Sequence, residues 1–421
     1  MIAEAHGTSG KEPLPSLALF SGAPAILQRV HDRGLPPGLL LLLPVLVVPL
    51  LVLGALAKGS LTANGLPSVL CHDWAKLALL NHQATCVNTA SQTSDFPLLR
   101  DVPVLTVAII LSTTPYIVYR QWAALSAFLP SLSKYRCISF ESDGHKDEYF
   151  REVSSANEYY VHAGGLGAVY AAVAFVSVAL VSIACAQHGI YERLAPNGLG
   201  VEARQQWARN AYSSWWANFN NNWPGWLGYL LVGSLGIYSI VLQDVMGWRA
   251  VYFMWRTRRL ATYYVDEANP DGSYGWREGR RVILFTYVSV VVHGIGLALI
   301  AISLPLSAAV IFMGPLLLCW AFTVPLCIGI PCYVVRRSIR QTKARRLEHI
   351  SAQLRRLDED PNLDDDARAM HKDPYMRQCA AIQQISDLPI RQRSDWPIVG
   401  ITLLASMLSI YAALALIYGS P

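Results

Sequence analysis

Seven runs of this sequence are apolar for about the length of a membrane span, and no other feature limits the fold as tightly. They cover residues 39–57, 102–119, 162–186, 226–245, 282–304, 308–335 and 396–418. The first reads LLLLLPVLVVPLLVLGALA. A helix rises ~1.5 Å per residue, so roughly 20 apolar residues cross a hydrocarbon layer of ~30 Å. A soluble core would spread its apolar residues periodically and a membrane barrel would alternate them; these runs do neither. Charge is scarce to match. Only 15% of the 421 residues are charged, against about 25% in soluble domains. The expected fold is all-α, a polytopic membrane helix bundle of about seven transmembrane helices.

Basic residues orient the bundle. Segments 1–38, 120–161, 244–281 and 336–395 carry 3, 5, 7 and 13 Lys and Arg, whereas 58–101 and 187–225 carry 3 each. Short cytoplasmic loops collect Lys and Arg, so the N-terminus is expected inside and the C-terminus outside. The chain then divides into a cytoplasmic N-terminal segment (1–38), a six-helix transmembrane region with its loops (39–335), a cytoplasmic helical hairpin (336–395), and a last transmembrane helix with a short outer tail (396–421). Ala55-Leu56-Ala57 resembles a signal cleavage site, but 38 residues precede the run and favour an uncleaved helix. The net charge of +5 reflects this topology, and no nucleic-acid-binding module is visible.

The hairpin is read from two stripes. Leu347, Ile350, Leu354 and Leu357 are spaced 3, 4, 3 on one helical face, and Met376, Cys379, Ile382 and Ile385 continue a second. DEDPNLDDD lies between them and supplies carboxylates for a new helix N-terminus. Its aspartates lack the central Gly and closing Glu of an EF-hand, so no calcium is expected. The stripes either pack on each other or mediate self-association.

ANPDGSYGW (268–276) reverses the chain between the fourth and fifth runs. Asn269 and Pro270 open a tight turn, Asp271 can accept backbone N–H groups, and Gly272 and Gly275 accept positive φ. Ahead of it the fourth helix is expected to continue through MGWRAVYFMWRTRRLATYYVDEA. There Trp248 and Trp255 suit the interface, and Arg249, Arg256, Arg258 and Arg259 suit anionic lipid heads. Cys71 and Cys86 fall in the first outer loop, where a disulfide is one of two open possibilities. SSWWANFNNNWPGW (213–226) reads as an interface belt or as a platform for a small ligand.

An Arg-rich helix followed by an NPD-x-x-G turn and a further apolar helix resembles a group of uncharacterised bacterial polytopic membrane proteins. Those carry an HPDxxGG-type cytoplasmic loop and a PxWP-like stretch before the last helix. Asn269, Pro270, Asp271, Gly272 and Gly275 stand at the loop, and SDLPIRQRSDWPI (386–398) at the later stretch. Asn269 replaces the His and Trp276 replaces the second Gly, so no metal role transfers. The resemblance implies a bacterial inner membrane location and the same topology, and it implies no chemistry.

Polar residues inside lipid point to function, because a charge at the bilayer centre costs ~2.5–3.5 kcal/mol. His293 lies mid-way in the fifth run, ahead of Gly296; Asp244 and Arg120 sit at the inner ends of the fourth and second. No nucleophile elbow, zinc-protease, P-loop or dinucleotide motif is present, so no enzyme and no cofactor is expected. The leading expectation is a homo-oligomeric channel or ligand-responsive pore. A non-conducting receptor or scaffold comes next, then a small-solute transporter.

Overall fold

The computed structural model describes residues 19, 39–40, 42–57, 96–165, 167–192, 195–196, 198–265, 275–304, 314–359 and 364–384. Cys71, Cys86, residues 269–272 of the turn, the seventh run and the 386–398 stretch lie outside them. Among the described residues there are nine α-helices: α1 (Leu42–Ala57), α2 (Val102–Lys134), α3 (Asp143–Gly165), α4 (Gly167–His188), α5 (Val201–Ser213), α6 (Trp223–Thr257), α7 (Arg277–Ser303), α8 (Gly314–Glu359) and α9 (Asp365–Gln384). Two short strands, β1 (Ile138–Ser139) and β2 (Thr262–Tyr263), pair antiparallel.

Four helices, α2, α4, α6 and α7, are long and apolar enough to cross a membrane. α1 is apolar but has 16 residues, about 24 Å of helix, shorter than the span expected of residues 39–57. α2 is the hub, packed against α7, α6 and α1. It continues past Pro115 and Pro130 without ending and buries Leu111, Thr114, Val118, Gln121 and Leu125 along one face. Close approach of α6 to α2 depends on Gly236, where an added Cβ would overlap Leu111.

Two features differ from the expected layout. The helix that starts in the fourth run stops at Thr257; the next residues form β2, because Tyr264 N–H donates to Cys137 O at 2.8 Å and ties that segment to the chain after α2. The sixth run and the hairpin's first arm are one 46-residue helix, α8, which passes Pro325 and Pro331 unbroken.

α9 folds back on α8 and forms the hairpin. Ile339 and Ile350 on the first arm and Ile382 on the second are buried, and Lys372 pairs with Asp358 across the arms. Met376, assigned to the second stripe, is 58% exposed; the inward face carries Lys372, Tyr375, Cys379 and Ile382 at 3, 4, 3 spacing. Ile350 and Ile382 are thus covered within the chain, whereas Met376 is not, and Ile385 lies outside the described residues. Ile350→Asp with Ile382→Asp is expected to expose 314–384 to limited proteolysis while leaving the native mass unchanged. A drop in mass would show instead that the stripes join copies.

Candidate functional site

The bundle interior holds a cavity of about 590 Å³, within the 300–1,000 Å³ range of small-molecule sites. Its wall runs from Val104 to Phe128 on α2 and from Tyr229 to Met254 on α6, about 36 Å of helix rise. About half of the lining is Val, Ile and Leu. Trp276 and Phe128, with ring centroids 5.8 Å apart, stand at one end, and Tyr229 and Ser303 at the other.

A line of polar side chains joins α2, α6 and α7 along this wall. Thr114 Oγ1 and His293 Nε2 are 3.1 Å apart, and His293 Nδ1 is 3.0 Å from Ser289 Oγ. Ser289 donates to Gln243 Oε1 at 2.8 Å, Gln243 Nε2 to Gln121 Oε1 at 2.6 Å, and Gln121 Nε2 to Thr286 Oγ1 at 3.1 Å. The ends reach backbone carbonyls, Thr114 to Ile110 O at 3.0 Å and Thr286 to Val282 O at 2.8 Å. Helical phase assembles it: Thr114 and Gln121 are two turns apart, and Thr286, Ser289 and His293 share a face at 3 and 4 spacing.

Hydrogens along the line can be counted. The three hydroxyls, a neutral imidazole and one N–H from each amide supply six, for seven contacts. One terminal contact therefore lacks its hydrogen. As drawn, Thr114 turns to His293 and leaves Ile110 O. Flipping both amides and the imidazole tautomer reverses the polarity, and Thr286 then leaves Val282 O. The line has two equivalent hydrogen arrangements, and an imidazolium would fill all seven contacts. Each glutamine also keeps one amide hydrogen and one oxygen lone pair outside the line.

A second polar centre caps the bundle at the other end of α2. Asp101 is fully buried; it receives Val104 N–H at 3.2 Å, Trp215 Nε1 at 2.5 Å, Trp216 Nε1 at 2.7 Å, and the hydroxyl of Tyr191. Burial pushes its carboxyl above the ordinary carboxylate value, opposed by the Tyr191, Trp215 and Trp216 donors. Burial, with the Asp101 charge beside it, raises the Tyr191 hydroxyl well above its usual value. Phe96 stacks on Tyr191 at 4.6 Å, and Tyr191 N–H donates to Ser303 O at 3.1 Å, so α2, α7 and segment 187–222 meet here. The asparagines of SSWWANFNNNWPGW brace the same cap. Asn218 Nδ2 donates to Tyr212 O at 2.7 Å, and Asn222 Nδ2 donates to Trp216 O at 2.6 Å. Trp226 Nε1 reaches Ser182 Oγ at 2.7 Å, and of the four tryptophans Trp223 is the one standing exposed. The stretch braces the cap, with Phe219 and Trp223 left exposed.

The arginine-rich end of α6 grips α3. Arg256 pairs with Glu152 at 2.7 Å; Arg249 donates to Ser155 and lies over Tyr159 and Tyr252; Arg258 lies over Trp255. Three of the four arginines read as lipid-facing thus have partners within the chain. Trp248 and Trp255 remain exposed beside them.

Of the residues singled out from sequence, His293 is the one the structure brings into the polar line. Arg120 lies over the Phe285 ring at 5.3 Å. Asp244 lines the cavity on the α6 face that also carries Gly247 and Val251. In both dipeptides the neutral neighbour, Gln121 or Gln243, makes the hydrogen bonds between helices, and sequence reasoning passed over both. Their signal was phase: Gln121 follows Leu111, Thr114 and Val118 at 3 and 4 spacing. In the turn, Gly275 has φ +83, as positive-φ tolerance requires. Among the described residues no group of three or more metal-ligating side chains occurs. Searches of family models, curated proteins and solved structures return no match to this chain.

Proposed function

We propose that this is a multi-pass membrane protein whose single-chain bundle carries a passage or binding slot for a small, largely apolar solute, acting as a ligand-responsive pore or transporter. The cavity wall supports this reading: it extends about 36 Å along α2, comparable to a hydrocarbon layer of ~30 Å. A scaffold has no use for such a slot, since an empty cavity forfeits packing contacts. In this reading the N-terminus is cytoplasmic and the hairpin and Arg256 end face the inner, anionic leaflet of a cell membrane. Self-association through the hairpin is a separate proposal, which the Ile350→Asp, Ile382→Asp variant tests.

A second reading, a non-conducting receptor, is favoured by the polar line itself. It fastens α2, α6 and α7 together beside the slot, and a ligand that broke it would shift those helices.

Flux decides between them. Gly247 on α6 lines the slot, and a Cβ there meets only Cys327 Sγ at 3.8 Å, an ordinary contact. Gly247→Leu is therefore expected to fold and to narrow the slot. In liposomes the wild type should release small organic solutes faster than protein-free vesicles, and Gly247→Leu should lower that rate several-fold. Wild-type release equal to that of empty vesicles would leave the receptor reading.

A further inference from the structure

We infer that the slot is built for an organic cation: a ligand with an apolar body and one protonated amine, its charge held by Asp244. The inference rests on the slot's being a ligand site and adds the ligand's class.

Among the described residues lining the slot, Asp244 is the one that is charged at neutral pH; no Lys or Arg joins it. It has no ion pair and no hydrogen-bonding side chain among the described residues, although Arg249, Arg256 and Arg281 all find partners nearby in the chain. Its face of α6 is otherwise Ile237, Ile240, Gly247 and Val251, all lining the slot. Asp244 is exposed where it lines the slot, so its carboxylate is open to a solute and has an apolar wall on either side of it. Within a membrane, an ionisable residue on a cavity face marks the pathway of a solute of opposite charge.

The glutamines add acceptors beside the carboxylate's wall. Gln121 and Gln243 are buried, line the same slot, and each retains an oxygen lone pair not consumed by the polar line. An alkylammonium offers up to three N–H donors. The carboxylate takes the charge, and amide oxygens can accept what remains. Aromatic walls at Trp276, Phe128 and Trp320 suit a cation as well as an apolar body.

A metal cation fits poorly. Calcium or magnesium needs several oxygen ligands, and a single carboxylate in an apolar wall does not provide them. An anion is opposed by Asp244 directly. A neutral ligand would leave the carboxylate as it stands.

The test uses three probes with one body: 4-phenylbutylamine, 4-phenylbutanol and 4-phenylbutyrate, at pH 7. Binding to the full chain in nanodiscs is measured by equilibrium dialysis. The amine is expected to bind at least tenfold more tightly than the alcohol, and the carboxylate least. Asp244→Asn should bring the amine down to the alcohol's affinity and leave the alcohol unchanged. Gly247→Leu should weaken amine and alcohol together, because it removes space and not charge. Equal binding of amine and alcohol by the wild type would overturn the assignment, as would an amine preference that survives Asp244→Asn. If the alcohol binds and Gly247→Leu weakens it while the amine has no advantage, the slot stands and the cation does not. If no probe binds, this inference falls, and the liposome flux experiment judges the slot separately.

Discussion

Asp101→Leu is expected to unfold the cap formed by α2, α7 and segment 187–222, and to do so more severely than any single substitution in the apolar helices. Three side-chain donors and one backbone N–H converge on this carboxylate, two of them indoles on the same oxygen at 2.5 and 2.7 Å. Donors aimed at an ionised acceptor make the shorter and stronger class of hydrogen bond, at ~1.5–3 kcal/mol each. A leucine removes the acceptor and leaves buried donors facing a methyl group. Losing even two of these bonds costs roughly 3–6 kcal/mol. Asp101→Asn is the sharper variant, since it keeps the volume. Its single oxygen can hold the two indoles, but its amide group faces the Tyr191 hydroxyl and Val104 N–H, of which only the hydroxyl can turn to accept. A loss of about 2–4 kcal/mol follows, and it should appear as fast amide exchange across 187–222 with α8 and α9 still protected. Trp216→Phe, which deletes one donor, should fall between Asp101→Asn and the wild type. Unchanged exchange in 187–222 for Asp101→Asn would mean that the carboxylate does not hold the cap.

What could be read ahead of the structure follows from the range of each interaction. A membrane span is a local property, so among the described residues four of the apolar runs reappear as helices able to cross a bilayer, with α1 shorter. The hairpin arms were legible for the same reason, since Ile350 and Ile382 sit in stripes that repeat within one helix. The helix ends were less legible. Thr257 ends α6 because β2 pairs with residues 138–139, more than a hundred positions earlier, and nothing near Thr257 announces that partner. Asp101 was invisible for a related reason. It reads as an ordinary helix N-cap, and its other partners lie 90 to 115 positions away. In the slot, charge drew the reading to Asp244, which lines it, and to Arg120, which does not, while helical phase also places the adjacent glutamines there. An ionisable residue advertises its cost in lipid, but a buried amide is recognised only when its partner on another helix is known. His293 was found because it is both ionisable and in phase.

Gly275→Val is expected to be the most damaging change near the other end of the bundle. Two independent costs meet at this residue. Its φ of +83 lies where a side chain strains the backbone, ~1–2 kcal/mol for most residues and more for a β-branched one. A Cβ there would also stand 2.6 Å from Cys137 Sγ and 3.0 Å from Tyr135 Cβ. Neither neighbour can retreat easily. Cys137 is fully buried and its carbonyl accepts from Tyr264 N–H at 2.8 Å, while Trp276, next to the glycine, is buried with its indole on Tyr264 O at 2.7 Å. Overpacking of this kind costs ~1–3 kcal/mol, so the total is roughly 2–5 kcal/mol or more. Strain and crowding can be separated. Gly275→Asn tolerates the left-handed backbone but keeps the clash, and pairing it with Cys137→Ala also removes the nearest contact, leaving Tyr135 Cβ at 3.0 Å. The melting temperature, read by fluorescence-detected size exclusion after heating, should therefore rise from Gly275→Val to Gly275→Asn, and again in the Gly275→Asn, Cys137→Ala double variant. Equal melting of Gly275→Val and the wild type would mean that the chain passes Cys137 by a different route.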